Sequence, residues 1–126
     1  MTERMNLGRK ILLATMGNDY IERRKASTNE FNKRIRDLTD EYCFGEVWGG
    51  EALQPKQRSL LVVAMLAGTG RLHELKVHVN GAVNNGCSVD EIQETLLMVA
   101  AYCGIPAGVS GVRVAEEVLR ERGLLK

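Results

Sequence analysis

The chain has 126 residues, one domain's worth, which excludes an enzyme with separate cofactor and substrate domains, so residues 1–126 read as a single domain. Lys and Arg number 17 against 16 Asp and Glu, a net charge of +1, so no global field draws the protein onto nucleic acid or anionic lipid. Hydrophobic residues at 44% and charged residues at 26% describe an ordinary globule rather than a disordered or fibrous chain.

The longest wholly apolar run, Leu60 to Ala67, falls far short of the roughly 18 residues of a membrane span. Glu3, Arg4, Arg9 and Lys10 interrupt the N-terminus where a secretory signal would be continuously apolar, so a cytoplasmic address is expected. Cys43, Cys87 and Cys103 form an odd set without a Cys-x-x-Cys pair, which argues against a disulfide scaffold, a zinc ribbon or a dithiol centre.

Hydrophobic spacing is helical nearly throughout, which predicts an all-α bundle of about six helices. Asn6 to Met16 reads as a first short helix ended by Gly17, and Asn18 or Asp19 as the cap of a second running to about Lys25. Ser27 and Glu30 fit a capping box opening a longer helix, with Phe31, Ile35, Leu38 and Tyr42 on one face. Between Gly45 and Gln54 the pattern lapses, predicting a loop that carries Trp48, the only tryptophan. Pro55 to about Thr69 is a helix apolar all round from Leu60 to Ala67, which must be central or lie against another subunit.

Arg71 to Asn85 is the next helix, with Leu72, Leu75, Val79, Ala82 and Val83 inward and Gly86 at its end. Ser88 and Glu91 form another capping box, opening a helix through Ile92, Leu96, Val99 and Cys103 that Gly104 ends. Pro106 starts the final helix, whose inward face is Val112, Ala115, Val118 and Leu119.

Chemistry concentrates on the helix from Arg71. Arg71, Glu74 and His78, at i, i+3 and i+7, share a stripe beside its apolar face. A carboxylate four residues before an imidazole can fix its tautomer and raise its basicity, as a general acid or base requires; the same spacing also makes an ordinary surface pair. His73 and His78 stand at i+5 rather than i+4, about 140° apart, so they do not converge on a zinc ion, and no metal site is expected. Gly68-Thr69-Gly70 completes no nucleotide fingerprint.

The cluster Arg23, Arg24, Lys25, Lys33, Arg34 and Arg36, interleaved with Glu22, Glu30 and Asp37, reads as a solvated face. Arg58, opening the most apolar helix, calls for a carboxylate from protein or ligand. Trp48 and Tyr102 suit a pocket wall, a core or a subunit contact.

Gly45-Glu46-Val47-Trp48, Arg58-Ser59-Leu60, Glu74-Leu75-Lys76-Val77-His78, Asn84-Asn85-Gly86, Glu91-Ile92 and Ala101-Tyr102-Cys103-Gly104-Ile105-Pro106-Ala107 together resemble the carboxymuconolactone decarboxylases. The resemblance runs from about residue 5 to residue 120. It implies a helical fold of the alkyl hydroperoxidase D type, assembled as a ring-shaped hexamer. It further implies cofactor-independent conversion of γ-carboxymuconolactone to the 3-oxoadipate enol-lactone and carbon dioxide in bacterial aromatic catabolism.

In that reading His78 transfers a proton or donates to an oxyanion, Glu74 orients His78, and Arg58 holds a substrate carboxylate, while Trp48, Arg71 and Tyr102 bind and shield the substrate. The sequence departs from the family's pattern at Gly49-Gly50-Glu51, where an arginine is usual, and at Gly108-Val109-Ser110-Gly111, where Asn or His is usual. Both departures point to a different or larger substrate. A non-catalytic acid-binding oligomer on the same fold is the alternative; a thiol peroxidase would need the Cys-x-x-Cys that Arg71 to Glu74 lacks. The all-round apolar helix independently predicts a homo-oligomer, a hexamer or trimer.

Overall fold

The computed structural model describes residues 2–126, which divide into two compact units, one running to Pro55 and the other Lys56–Lys126. The described residues are all-helical: α1 (Glu3–Met16), α2 (Asn18–Ser27), α3 (Lys33–Leu38), a π-helical segment (Thr39–Val47), α4 (Pro55–Gly68), α5 (Leu72–Asn84), α6 (Val89–Cys103) and α7 (Ile105–Glu121). That is seven α-helices and a π segment where about six helices are expected from the periodicity. No described helix is long and apolar enough to cross a membrane.

In the N-terminal unit, the Thr2 hydroxyl caps α1 by accepting from the Met5 amide, and α1 then packs along the π segment. The approach is close because residue 8 is glycine: a Cβ there would stand 1.8 Å from the Asp40 carbonyl oxygen and 2.8 Å from the Gly45 amide nitrogen. Both obstacles are backbone, so Gly8→Ala is expected to destabilise the protein at or beyond the top of the usual overpacking range of about 1–3 kcal/mol, read by urea denaturation. Leu12, Thr15, Phe44 and Trp48 fill this unit's interior, with the Phe44 and Trp48 ring centroids 5.2 Å apart.

Three local expectations change here. α2 begins at Asn18 itself, with Gly17 as its cap residue and no side-chain cap from Asn18 or Asp19. The Ser27 hydroxyl donates to the Arg24 carbonyl instead of opening a helix. Asn29 and Asn32 make the turn, the Asn29 side chain accepting from the amides of Phe31 and Asn32 while that of Asn32 accepts from the Asn29 amide. Finally, Gly45 to Val47 is π-helical, so the expected loop shortens to residues 48–54, and Trp48 opens it as the buried cap residue of the π segment.

The second unit is built on one continuous core, with Val63 and Ala67 of α4, Leu75, Val79 and Ala82 of α5, Ile92, Leu96 and Val99 of α6, and Ala115, Val118 and Leu119 of α7. The expected box at Ser88 and Glu91 forms in full, both reciprocal bonds closing at 2.9 and 3.0 Å. Gly104 separates α6 from α7, and Pro106 sits in the first turn of α7. Helices α6 and α7 pack closely at Gly108, where a Cβ would meet the Ala100 Cβ at 2.5 Å and its Cα at 2.9 Å. The small residue there is a packing requirement, which accounts for the absence of a larger polar group at that position.

Each unit leaves an apolar face uncovered. Phe31 is 97% exposed, and Ile35, Leu38 and Tyr42 beside it on the expected face of α3 and the π segment are each more than half exposed. Leu61 and Met65 project from α4, and Leu97, Met98 and Tyr102 from α6.

Candidate active site

Helix α5 carries the central group. Leu75, Val79 and Ala82 turn inward, fixing the helix's rotation, and that rotation sets Arg71, Glu74 and His78 along its flank. Arg71 is the exposed N-terminal cap residue of α5, and Glu74 is exposed in the first turn, where a carboxylate also complements the helix dipole. One turn further on, His78 sinks against the core, and its Nδ1 is buried without a hydrogen-bond partner. The stripe therefore runs from solvent to interior, with the imidazole at the inner end.

Glu74 and His78 are not hydrogen-bonded to each other, since Nδ1 has no partner and Glu74 makes no side-chain bond among the described residues. An orphaned ring nitrogen in a core costs about 1–3 kcal/mol, which is a reason to look for a reaction or a ligand at this point. Burial pushes the His78 pKa down from the ordinary 6.5 to about 4, so the ring is neutral at physiological pH. The unfolded chain then takes up the proton first as pH falls. The stability conferred by a neutral His78 is complete above pH 6.5 and is lost as pH drops toward 4, by about 3 kcal/mol. Urea midpoints between pH 7 and 4.5 are expected to show this slope, and His78→Gln to flatten it.

Arg58 lies half-buried in the first turn of α4. That turn is stitched to the segment after α5 by three contacts. The Asn85 side-chain amide donates to the fully buried Ser59 hydroxyl at 3.0 Å, the Cys87 thiol donates to the Lys56 carbonyl at 3.4 Å, and Lys56 pairs with Glu91 at 2.9 Å. The stitching sets the first turn of α4 beside the end of α5, roughly 10 Å along that helix from His78 at about 1.5 Å per residue. Neither residue advertises this contact in the sequence, because Ser59 opens an apolar run and Asn85 sits in a turn signal.

Tyr102 is 83% exposed near the end of α6, and Trp48 belongs to the N-terminal unit, buried against Phe44. His73 is exposed on α5. The charge cluster expected to be a solvated face hides a second polar centre. Asp40, with its side chain 3% exposed, takes a two-point contact from Arg24, at 2.7 and 3.3 Å, and a third bond from Arg9 at 3.1 Å.

The pattern of the Carboxymuconolactone decarboxylase family matches residues 34–117. Across 122 residues the chain is 31% identical to the 4-carboxymuconolactone decarboxylase of Acinetobacter baylyi, covering 97% of this chain and 91% of that one. It is 32% identical over 114 residues to the nitrosuccinic acid decarboxylase of Metarhizium robertsii, covering 90% of this chain and 80% of that one. With the stitched turn of α4, the half-buried imidazole of α5 and Tyr102 all falling inside the matched stretch, the chain belongs to the carboxymuconolactone decarboxylase family.

Proposed function

We propose that the chain is a cofactor-independent carboxy-lyase acting in the cytoplasm on 4-carboxymuconolactone, in bacterial aromatic catabolism, with a related small acid as the alternative substrate. The observation that supports it best is the neutral His78 with its unpartnered, buried ring nitrogen, lying within the stretch that matches the family.

In 4-carboxymuconolactone the leaving carboxylate is on a carbon conjugated through a double bond to the lactone carbonyl. When the carbon–carbon bond breaks, carbon dioxide departs and the electron pair moves onto that carbonyl oxygen. The resulting dienolate then takes one proton at carbon. The lactone is its own electron sink, so the protein's task is to hold a dianion, stabilise an oxyanion and control a proton. Arg58 suits the carboxylate that stays, because a guanidinium meets a carboxylate at two points. A ring kept neutral suits His78 to donate its N–H to the growing oxyanion rather than to act as an imidazolium acid. Glu74, one turn earlier, orients the ring as substrate enters.

Nitrosuccinic acid offers the same electronic solution. Its carboxylate beside the nitro group can leave with the electron pair taken up by the nitro oxygens. The 32% identity to the nitrosuccinic acid decarboxylase over 90% of the chain supports this second reading. Both molecules are small dianions with an oxygen acceptor, matched to a cation from α4 and a neutral donor from α5.

The uncovered apolar faces support a homo-oligomer, a ring-shaped hexamer or a trimer, in which a neighbouring copy covers the exposed Leu97, Met98 and Tyr102. Light scattering at micromolar concentration is expected to give a mass of at least three chains; a monomer would remove this part of the reading. The reaction is tested by adding enzymatically generated 4-carboxymuconolactone, and nitrosuccinate in parallel, with chelator present. Carbon dioxide release from one of them is expected. A folded oligomer that binds such acids without turnover would replace catalysis with the binding-protein reading.

A further inference from the structure

The N-terminal unit encloses a cavity of about 550 Å³ whose floor is apolar and whose rim is cationic. Leu12, Leu13 and Ile21 supply the floor, while Arg9, Arg24, Lys25, Lys33 and Arg36 stand around it against only two carboxylates, Asp37 and Asp40. Those two carboxylates are already committed: Asp40 to Arg24 and Arg9, and Asp37 to Lys33 and Arg9.

Arg36 differs from its neighbours. Its Nη1 donates to the Arg24 carbonyl at 2.7 Å, the Thr28 hydroxyl at 2.8 Å and the Ser27 hydroxyl at 3.1 Å. All three acceptors are neutral, and Arg36 forms no ion pair among the described residues, so its charge is held in place but not balanced. Nη2 and Nε make no hydrogen bond among those residues. A guanidinium pinned by one nitrogen, with its other donors available, is prepared for a two-point contact with an anion. The apolar floor below it would bury a hydrocarbon or aromatic body, which a bare inorganic anion lacks.

We infer that this cavity is a binding site for a small organic carboxylate with an apolar body, its carboxylate on Arg36 and its body on Leu12, Leu13 and Ile21. The site is made entirely by the N-terminal unit, whereas His78 and Arg58 belong to the other, and most of its lining precedes the family's matched stretch from residue 34. It therefore does not depend on the proposed decarboxylation. An aromatic or alkyl monocarboxylate is the chemical class that fits.

The test is calorimetric titration of the full chain with benzoate, and separately with inorganic phosphate. Benzoate is expected to bind at least tenfold more tightly than phosphate. Arg36→Gln is expected to weaken benzoate at least tenfold. Because Arg36 also ties down the end of α2, Leu13→Glu serves as a second variant: it changes an exposed helix position, places an acid over the floor and is expected to give a similar loss. Binding should survive in His78→Ala. Absence of benzoate binding at millimolar concentration, phosphate binding as tightly, unchanged affinity in a folded Arg36→Gln or in Leu13→Glu, or disappearance in His78→Ala would each overturn the assignment.

Discussion

His78→Ala is expected to lower kcat for carbon dioxide release by two to four powers of ten, with a far smaller change in KM. Removing one well-placed donor to an oxyanion costs about 100- to 1000-fold, and a general acid or base contributes about 100- to 10,000-fold. His78 is the group on α5 whose partial burial and neutrality suit the donor's part. The two parts separate in the pH profile. With a pKa of about 4, a neutral donor leaves kcat flat from pH 5 to 8, whereas an imidazolium acid would lose rate across that interval. His78→Gln, which keeps an N–H donor but cannot titrate, is expected to retain more activity than His78→Ala. Equal loss in both variants would point to proton transfer instead. Glu74→Gln, altering an exposed group that acts through the ring, is expected to cost less than either.

Arg58 acts on the substrate's remaining carboxylate, so its loss is expected to appear first in KM. The bond between Asn85 and Ser59 gives a graded version of the same experiment. Asn85→Ala removes the donor that ties the end of α5 to the first turn of α4, and is expected to raise KM several-fold while Arg58 itself is still present. A rise in kcat and no change in KM would disconnect this turn from substrate binding.

The residues that could be placed from the sequence are those whose partners lie within a few positions. Ser88 and Glu91 satisfy each other's amides three residues apart, and Leu75, Val79 and Ala82 share a face because the helix repeat puts them there. The stripe from Arg71 to His78 was legible for the same reason. Its gradient was not: Glu74 is exposed and His78 half-buried because of what α5 packs against, which spacing on one helix does not contain.

The failures all have distant or competing causes. Ser27 and Glu30 have the spacing of a capping box, but Asn29 and Asn32 satisfy the same turn reciprocally. The π segment is tied to Gly8, more than thirty positions away, whose bare backbone lets α1 approach Asp40 and Gly45. A buried carboxylate just beyond a charged stretch is likewise hidden. Asp40 looks like its acidic neighbours until Arg9 and Arg24, from two other helices, are brought onto it.

Asp40→Ala is accordingly expected to be the most damaging single change to stability in the N-terminal unit, at about 3 kcal/mol. Breaking a buried ion pair from one side costs about 3–5 kcal/mol because the partner charge is left desolvated. Arg24 has a side chain only 18% exposed and meets that condition, whereas Arg9 at 44% can turn to water, which places the loss at the lower end. The cost is not confined to the pair. Arg24 also donates to the Arg36 carbonyl at 3.2 Å while Arg36 donates back to the Arg24 carbonyl at 2.7 Å, so the α2 and α3 ends are held by a reciprocal bond that Asp40 steadies. Asp40→Asn, which preserves shape and two acceptor lone pairs but removes the charge, is expected to recover part of the loss. In a double-mutant cycle, Arg24→Gln should couple to Asp40→Asn by more than Arg9→Gln does, since Arg24 makes the two-point, less exposed contact. Urea midpoints of the three single and two double variants measure this ordering, and stronger coupling to Arg9 would mean that the exposed arginine, rather than the enclosed one, balances the buried carboxylate.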